Sequence, residues 1–456
     1  MLNKIFIINE EGNNYNMKRL INILEYSIVI LIILNCRSVY QEATFVNYRI
    51  KELLVIMIGT LLLVTIGTNR YDRQKIKKAM IYLIVYCMYI ILFFLLNEIH
   101  TINDYIYTFG IMFPFLFFYY YINKNTQYAI IEALRKLCNA MVFIATISLF
   151  MYFIGPVLNL LKPSGSLYIN WGEIRAIKSY YGVQFVTQNS NIFGMQFIRN
   201  TSIFTEAPMY SLNLTIALAI ELLILPKKNW YRKVILAVTI LTTLSTTGIV
   251  LASAMIIISI FLSKQNNYLK QILKILAFPM IFIILITVMY QFLGEKTQTT
   301  SWRTRFDDYV ACYETWKNNA IIGVGYGNEN EIKQHMSSFR ANNKGLSNSL
   351  LVVLAEGGIY LILFYIIPIL KMMYYGLKYK KYYLIVFTLI IFALAMTTIF
   401  HFTAMMINLL AMGYAFTYKK DERGKKDERV QLFDSRGTDY LDLYLHTKQI
   451  EDKRNV

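Results

Sequence analysis

The sequence predicts an all-α polytopic membrane protein of about 12 transmembrane helices with two long external loops. Three observations carry this. Of 456 residues, 56% are hydrophobic and only 16% charged, against roughly a quarter charged in soluble domains. The apolar residues gather into runs near the ~20 residues that a spanning helix needs. The loops between those runs are basic on every second turn, as cytoplasmic loops are.

The runs lie near 20–36, 52–68, 80–97, 105–122, 138–161, 209–225, 234–262, 275–293, 347–369, 382–399 and 402–418. The stretch 234–262 is too long for one span and is interrupted by Ser245, Thr246, Thr247 and Gly248. It reads as two short helices meeting at a polar tip. That split is required by charge: a single span would place Lys264, Lys270 and Lys274 outside. Basic residues then mark the inner loops, including Arg70 to Lys78, the group Lys124, Arg135 and Lys136, Lys227 to Lys233, and Lys371 to Lys381. Both termini fall on the cytoplasmic side. Residues 1–19 form a short cytoplasmic arm and 20–418 the membrane domain. The tail 419–456, where KKDERG is nearly repeated as KKDERV, reads as a charged cytoplasmic extension.

The formal charge of +18 follows from those loops and gives no reason to invoke nucleic acid. Four cysteines are too few for a disulfide framework. The four histidines are scattered without ligand spacing, so no metal or cofactor is expected. The spans are nearly free of ionisable groups, with Glu25, Glu221 and Glu356 near helix ends. A carrier would place such groups near the midplane. Polar residues crowd the outer loops instead, about 162–208 and 294–346, which favours an enzyme at the membrane surface.

Trp302 to Asn328 is the densest stretch of the second loop. Trp302, Phe306, Tyr309, Tyr313 and Trp316 recur at helical spacing and predict an amphipathic helix seated by its aromatic face. Gly323, Gly325 and Gly327 then give a permissive turn. The same pattern fits a capping helix that only packs. Arg175, Arg199, Arg303, Arg305 and Arg340 are the external arginines, and their fork geometry suits phosphate. Arg303 and Arg305 lie 200° apart around a regular helix, so only one can face a given site. Glu206, in SIFTEAPMYS, is either a general base beside apolar surface or a helix-entry acid before Pro208.

Three pieces in order, IRNTSIFTEAP, then SWRTR with IIGVGYGN, then GLSNSLLVVLAEGGIYLILFY, with LSTTG as a weaker fourth, resemble the bacterial O-antigen ligase and polysaccharide polymerase family. The resemblance covers about 200–368 and implies a GT-C-like fold and a metal-independent glycosyltransferase of the bacterial cytoplasmic membrane. Its substrates would be oligosaccharides on undecaprenyl pyrophosphate. Chain-length regulators or other polysaccharide-assembly proteins are partners that the family admits. On this resemblance Arg199 with Arg303 or Arg305 would hold the pyrophosphate and Glu206 would act as base. Arg175, Lys178, Arg340, Ser347, Asn348 and Glu356 would bind substrate or orient the loop. Ligases carry His where Ser347 stands, which favours a repeat-unit polymerase over a ligase. An exporter of the same lipids is the rival of a different class.

Overall fold

A computed structural model describes residues 2–42, 47–68, 70–171, 173–192, 195–225, 229–262, 300–340 and 345–417. The apolar run 275–293, Lys264, Lys270, Lys274 and Lys344, and the tail from 419 lie outside the described residues.

Helix α1 (Leu2–Asn35) ends in a tight turn, followed by a single turn of helix, α2 (Val39–Glu42). Among the described residues, six helices are long and apolar enough to cross a membrane, by length and composition. They are α3 (Arg49–Gly67), α4 (Arg73–Leu96), α5 (Ile102–Ile122), α6 (Thr126–Val157), α7 (Ala207–Ile224) and, later in the chain, α12 (Ser349–Lys378). Between them come α8 (Trp230–Thr242), α9 (Thr246–Leu262), α10 (Thr300–Asn318) and α11 (Glu329–Gln334). The short apolar helices α13 (Tyr382–Thr397) and α14 (Ala404–Ala415) close the described chain. The chain is thus a mostly helical multi-pass membrane protein. The 234–262 stretch does divide, at Thr243 to Ser245, with Leu244 at φ 50°.

Helix α7 is the centre of the bundle. It is buried along 89% of its length, against 17% for peripheral α4. Small residues allow this enclosure. Gly248 lets α9 approach so closely that a Cβ there would stand 1.8 Å from Ser211 Oγ.

The spans are less free of charge than expected. Lys136 is not in a loop: it lies inside α6, buried, and pairs with Glu25 of α1, whose other oxygen accepts from Tyr119. Glu221 of α7 pairs with Arg232 of α8 at 3.0 Å, and the Arg232 guanidinium also donates to Cys138 Sγ at 3.3 Å. Each charge meets its opposite across a helix interface, which is how ionisable groups are tolerated inside such bundles.

The first long loop is not irregular. It folds into β1 (Gly165–Trp171), β2 (Glu173–Tyr180) and β3 (Gln184–Val186) as one antiparallel sheet, and β4 (Asn189–Ile192) with β5 (Met195–Ile198) as a separate hairpin. Leu167, Ile169, Ile177 and Phe185 cover Val39 at the start of α2. Alternation of apolar residues at 167, 169 and 177 gives that sheet a buried face.

Helix α10 packs on α12, but not by its aromatic stripe. Phe306 and Tyr313 are exposed, while Asp308, Ala311, Cys312 and Thr315 form the buried face. Ala311 and Cys312 meet Val352 and Ala355 of α12. Small residues let the two backbones close up, and bulky rings on that face would hold them apart. This corrects the expectation that the rings seat the helix.

The glycine turn then docks into a break in α12. Gly358 has φ 61° and ψ −163° inside that helix, a region open essentially to glycine. The break frees backbone groups that the turn uses. Val324 N donates to Ala355 O at 3.0 Å, Gly325 N to Glu356 O at 3.1 Å, and Ile359 N to Ala320 O at 2.9 Å.

Candidate functional site

The site lies at the end of the bundle that carries both long loops, around the tip between α8 and α9. The last carbonyls of α8 have no intrahelical partner, and Arg199 supplies one. Its Nε donates to Thr243 O at 2.9 Å and Nη2 to Leu244 O at 3.5 Å. Its Nη1 donates to Gln188 Oε1 at 3.4 Å, and the same oxygen accepts from Ala207 N at 3.1 Å. Three residues on, the Thr247 hydroxyl accepts from Arg305 Nη1 at 3.2 Å, and Thr397 O accepts from the same nitrogen at 3.3 Å. Two arginines from separate loops therefore clasp one five-residue tip.

Glu206 stands at the N-terminal end of α7 without capping it through its side chain. Its carboxylate faces Arg37 Nη2 at 3.7 Å. Arg37 sits in the turn after α1 with φ 55°, and its carbonyl is held by Thr205 N at 3.2 Å and Thr205 Oγ1 at 3.1 Å. That turn fixes its guanidinium against the Glu206 loop. Burial pushes the Arg199 guanidinium down to about 10, with Glu206 opposing the shift and the neighbouring Arg305 adding to it. It stays charged at neutral pH. Arg37 thus faces Glu206, and Arg199 feels both Glu206 and Arg305, so three cations and one carboxylate share this end of the bundle, a local positive excess suited to an anion.

Arg37 is absent from the sequence-based site. It lies two residues past the end of α1, in what looks like a connector. The signal available was RSVYQE, an arginine at the outer end of the first span.

The other expected residues separate. Arg303 is exposed and lies over the Phe339 ring, 4.9 Å from its centroid, so the choice between the two helix arginines falls on Arg305 for this site. Arg340 is not presented to a ligand. It is 1% exposed, pairs with Asp308 at 2.7 Å and Asp307 at 3.4 Å, and donates to Thr304 O and Gly345 O. All of its fork is spent on closing the second loop. Burial pushes the Asp308 carboxyl up, while Ser347 and Arg340 bonds hold it down. Ser347 is occupied in turn, its hydroxyl donating to Asp308 Oδ2 at 2.5 Å. Asn348 is buried at the start of α12, with Nδ2 on Cys312 Sγ at 4.0 Å. Glu356 is buried too, and its Oε2 accepts from Gly327 N at 3.0 Å. The carboxylate orients the glycine turn, which is the loop half of its expected role. Lys178 is exposed on β2 opposite Ser166. Arg175 pairs with Ile169 on the same sheet, and its side chain lies outside the described residues.

His401, between α13 and α14, is a neighbour whose place here no motif in the chain signals. Burial and then Arg37 hold its imidazole down at about 3, so it remains neutral and a weak proton acceptor. Glu206 is the carboxylate set among the arginines.

Residues 233–366 match the family model described as O-antigen ligase. The match runs from α8 into α12 and takes in the tip, Arg305 and the glycine turn, while Arg37, Arg199 and Glu206 precede it. No curated protein matches the chain.

Proposed function

Because the chain carries an O-antigen ligase domain and is built as a multi-pass membrane protein, we propose that it polymerises lipid-linked oligosaccharide repeat units. The growing glycan leaves undecaprenyl pyrophosphate and joins a sugar hydroxyl of a second lipid-linked unit. The observation that carries this reading is that Arg199 and Arg305 clasp the 243–247 tip beside the Arg37–Glu206 pair.

In this mechanism Glu206 takes the proton of the attacking hydroxyl. The new bond forms between that oxygen and the anomeric carbon, and the bond from that carbon to the pyrophosphate oxygen breaks. Charge then grows on the leaving pyrophosphate, where preset guanidinium groups stabilise it. On this reading the chain lies in the bacterial plasma membrane with the loop end outside and both termini in the cytoplasm. Transfer to a different lipid or protein acceptor is the ligase variant, disfavoured by Ser347 at the position where ligases hold His. Export of the same lipids draws on the buried Glu25–Lys136 and Glu221–Arg232 pairs, but each pair is closed on itself and offers no free charge to a passing substrate.

The test gives purified protein a lipid-linked repeat unit and looks for a ladder of longer glycans. Arg199→Ala and Arg305→Ala should abolish the ladder, and a full ladder from both would sink the proposal. Glu206→Gln should stop elongation while substrate binding persists; unchanged elongation removes Glu206 as base.

A further inference from the structure

The hairpin β4–β5 has its base on the anion site and its tip in the open. Arg199 N donates to Gln188 O at 3.1 Å, extending the ladder by one pair beyond Asn189↔Ile198. Gln188 also ties the hairpin to Ala207 N, and Tyr152 Oη donates to Ile198 O at 2.7 Å. The base is therefore fixed relative to Arg199 and Glu206.

Directly opposed residues of an antiparallel pair share a face, and faces alternate along each strand. Ser190 pairs with Phe197, so Ser190 and Phe197 lie on the face that Gln188 and Arg199 begin. Met195 continues it. Phe197 is 42% and Met195 60% exposed. An aromatic ring and a thioether held out on a polar loop, one strand repeat from an anion-binding arginine, ask for an apolar occupant. Two residues of strand advance the chain by roughly 7 Å. Phe197 therefore stands one same-face repeat along the hairpin from Arg199.

We infer that the Phe197 and Met195 face of this hairpin is a platform for the sugar ring next to the pyrophosphate. The C–H face of a pyranose packs on the Phe197 ring, and the Ser190 hydroxyl lies on the same face to bond a ring substituent. This rests on the proposed pyrophosphate site at Arg199 and adds how the glycan is read.

The test uses the full chain in lipid nanodiscs and two probes. One is undecaprenyl pyrophosphate bearing a single N-acetylhexosamine, the other undecaprenyl pyrophosphate without sugar. Phe197→Ala should weaken binding of the sugar-bearing probe about tenfold, the loss of one stacked ring, and leave the bare lipid within about twofold. Phe197→Trp should restore the first probe. Met195→Ala should act in the same direction. Because both side chains are exposed, thermal unfolding should not move. Equal weakening of both probes overturns the inference and makes the face a lipid-surface contact. No weakening of either overturns it and leaves the face to a protein partner. If the wild type binds both probes yet never extends a glycan, the polymerase reading fails alone, and the selective effect of Phe197→Ala still decides the platform.

Discussion

Replacing Arg199 by Lys separates charge from shape at the anion site. Burial, opposed by Glu206 and reinforced by Arg305, takes the guanidinium from 12.5 to about 10, a net cost of about 3 kcal/mol for the charged form. The same burial acting on an amine that starts at about 10.4 brings it to about 8. The sign follows directly. A cation whose pKa is lowered keeps its charge below that value and loses it above. At pH 7 the lysine variant is mostly charged. At pH 9 it is mostly neutral, and binding of an anion through that charge falls roughly tenfold relative to pH 7. The wild type, near 10, stays mostly charged throughout. Inorganic pyrophosphate binding, measured by calorimetry from pH 6.5 to 9.5, gives the comparison. Taking the ratio of the two proteins cancels the protonation of the ligand itself. A lysine can also satisfy fewer of Thr243 O, Leu244 O and Gln188 Oε1, so a pH-independent loss is expected on top. A ratio that stays flat across this range would refute the claim that Arg199 is a buried cation facing the anion.

Three further outcomes follow from the geometry. Arg305→Ala should weaken pyrophosphate binding roughly 10- to 100-fold, the worth of one charge-assisted bond, while Arg303→Ala changes it less than about twofold; the reverse order in the same titration would exchange their roles. Arg340→Ala leaves Asp308 buried without its main cation and should cost about 3–5 kcal/mol, read as a lower Tm in detergent, with an unchanged Tm arguing against the loop-closing role. Gly358→Ala forces a side chain into a glycine-only conformation, at about 1–3 kcal/mol. Its Cβ would also stand 2.3 Å from Ile321 O. Protease cleavage in 319–328 should therefore accelerate, and wild-type resistance would contradict the docked turn.

Much of this architecture was legible because hydropathy and charge act locally. The division of 234–262 followed from the basic loop beyond it, and the break at Thr243 to Ser245 lies where Ser and Thr interrupt the apolar run. Arg199, Arg305 and Glu206 were recognisable as polar groups confined to two loops. Partners were not recognisable. Nothing in the chain near Arg340 tells that Asp308, a turn after Arg305, will consume it. Glu356 resembles a substrate ligand until Gly327 N is seen against it. The aromatic spacing of α10 was real but did not mark the face on α12, where Phe306 and Tyr313 point out and Tyr309 reaches Met396 O instead, since periodicity identifies a face without saying which neighbour will cover it. The β-sheets were hidden because their strands are short and their apolar alternation interrupts a polar loop.

The Glu25–Lys136 pair has a consequence for how the protein is made. The two residues are 111 positions apart, so at roughly 5–20 residues per second the ribosome delivers the lysine roughly 5–20 seconds after the glutamate. During that interval the apolar part of α1 carries Glu25 without its cation, and an unpaired charge in a membrane helix is costly. Helix α1 is therefore a poor candidate for settling alone. Its final packing waits until α6 emerges, so the first span is secured no earlier than the helix that carries Lys136.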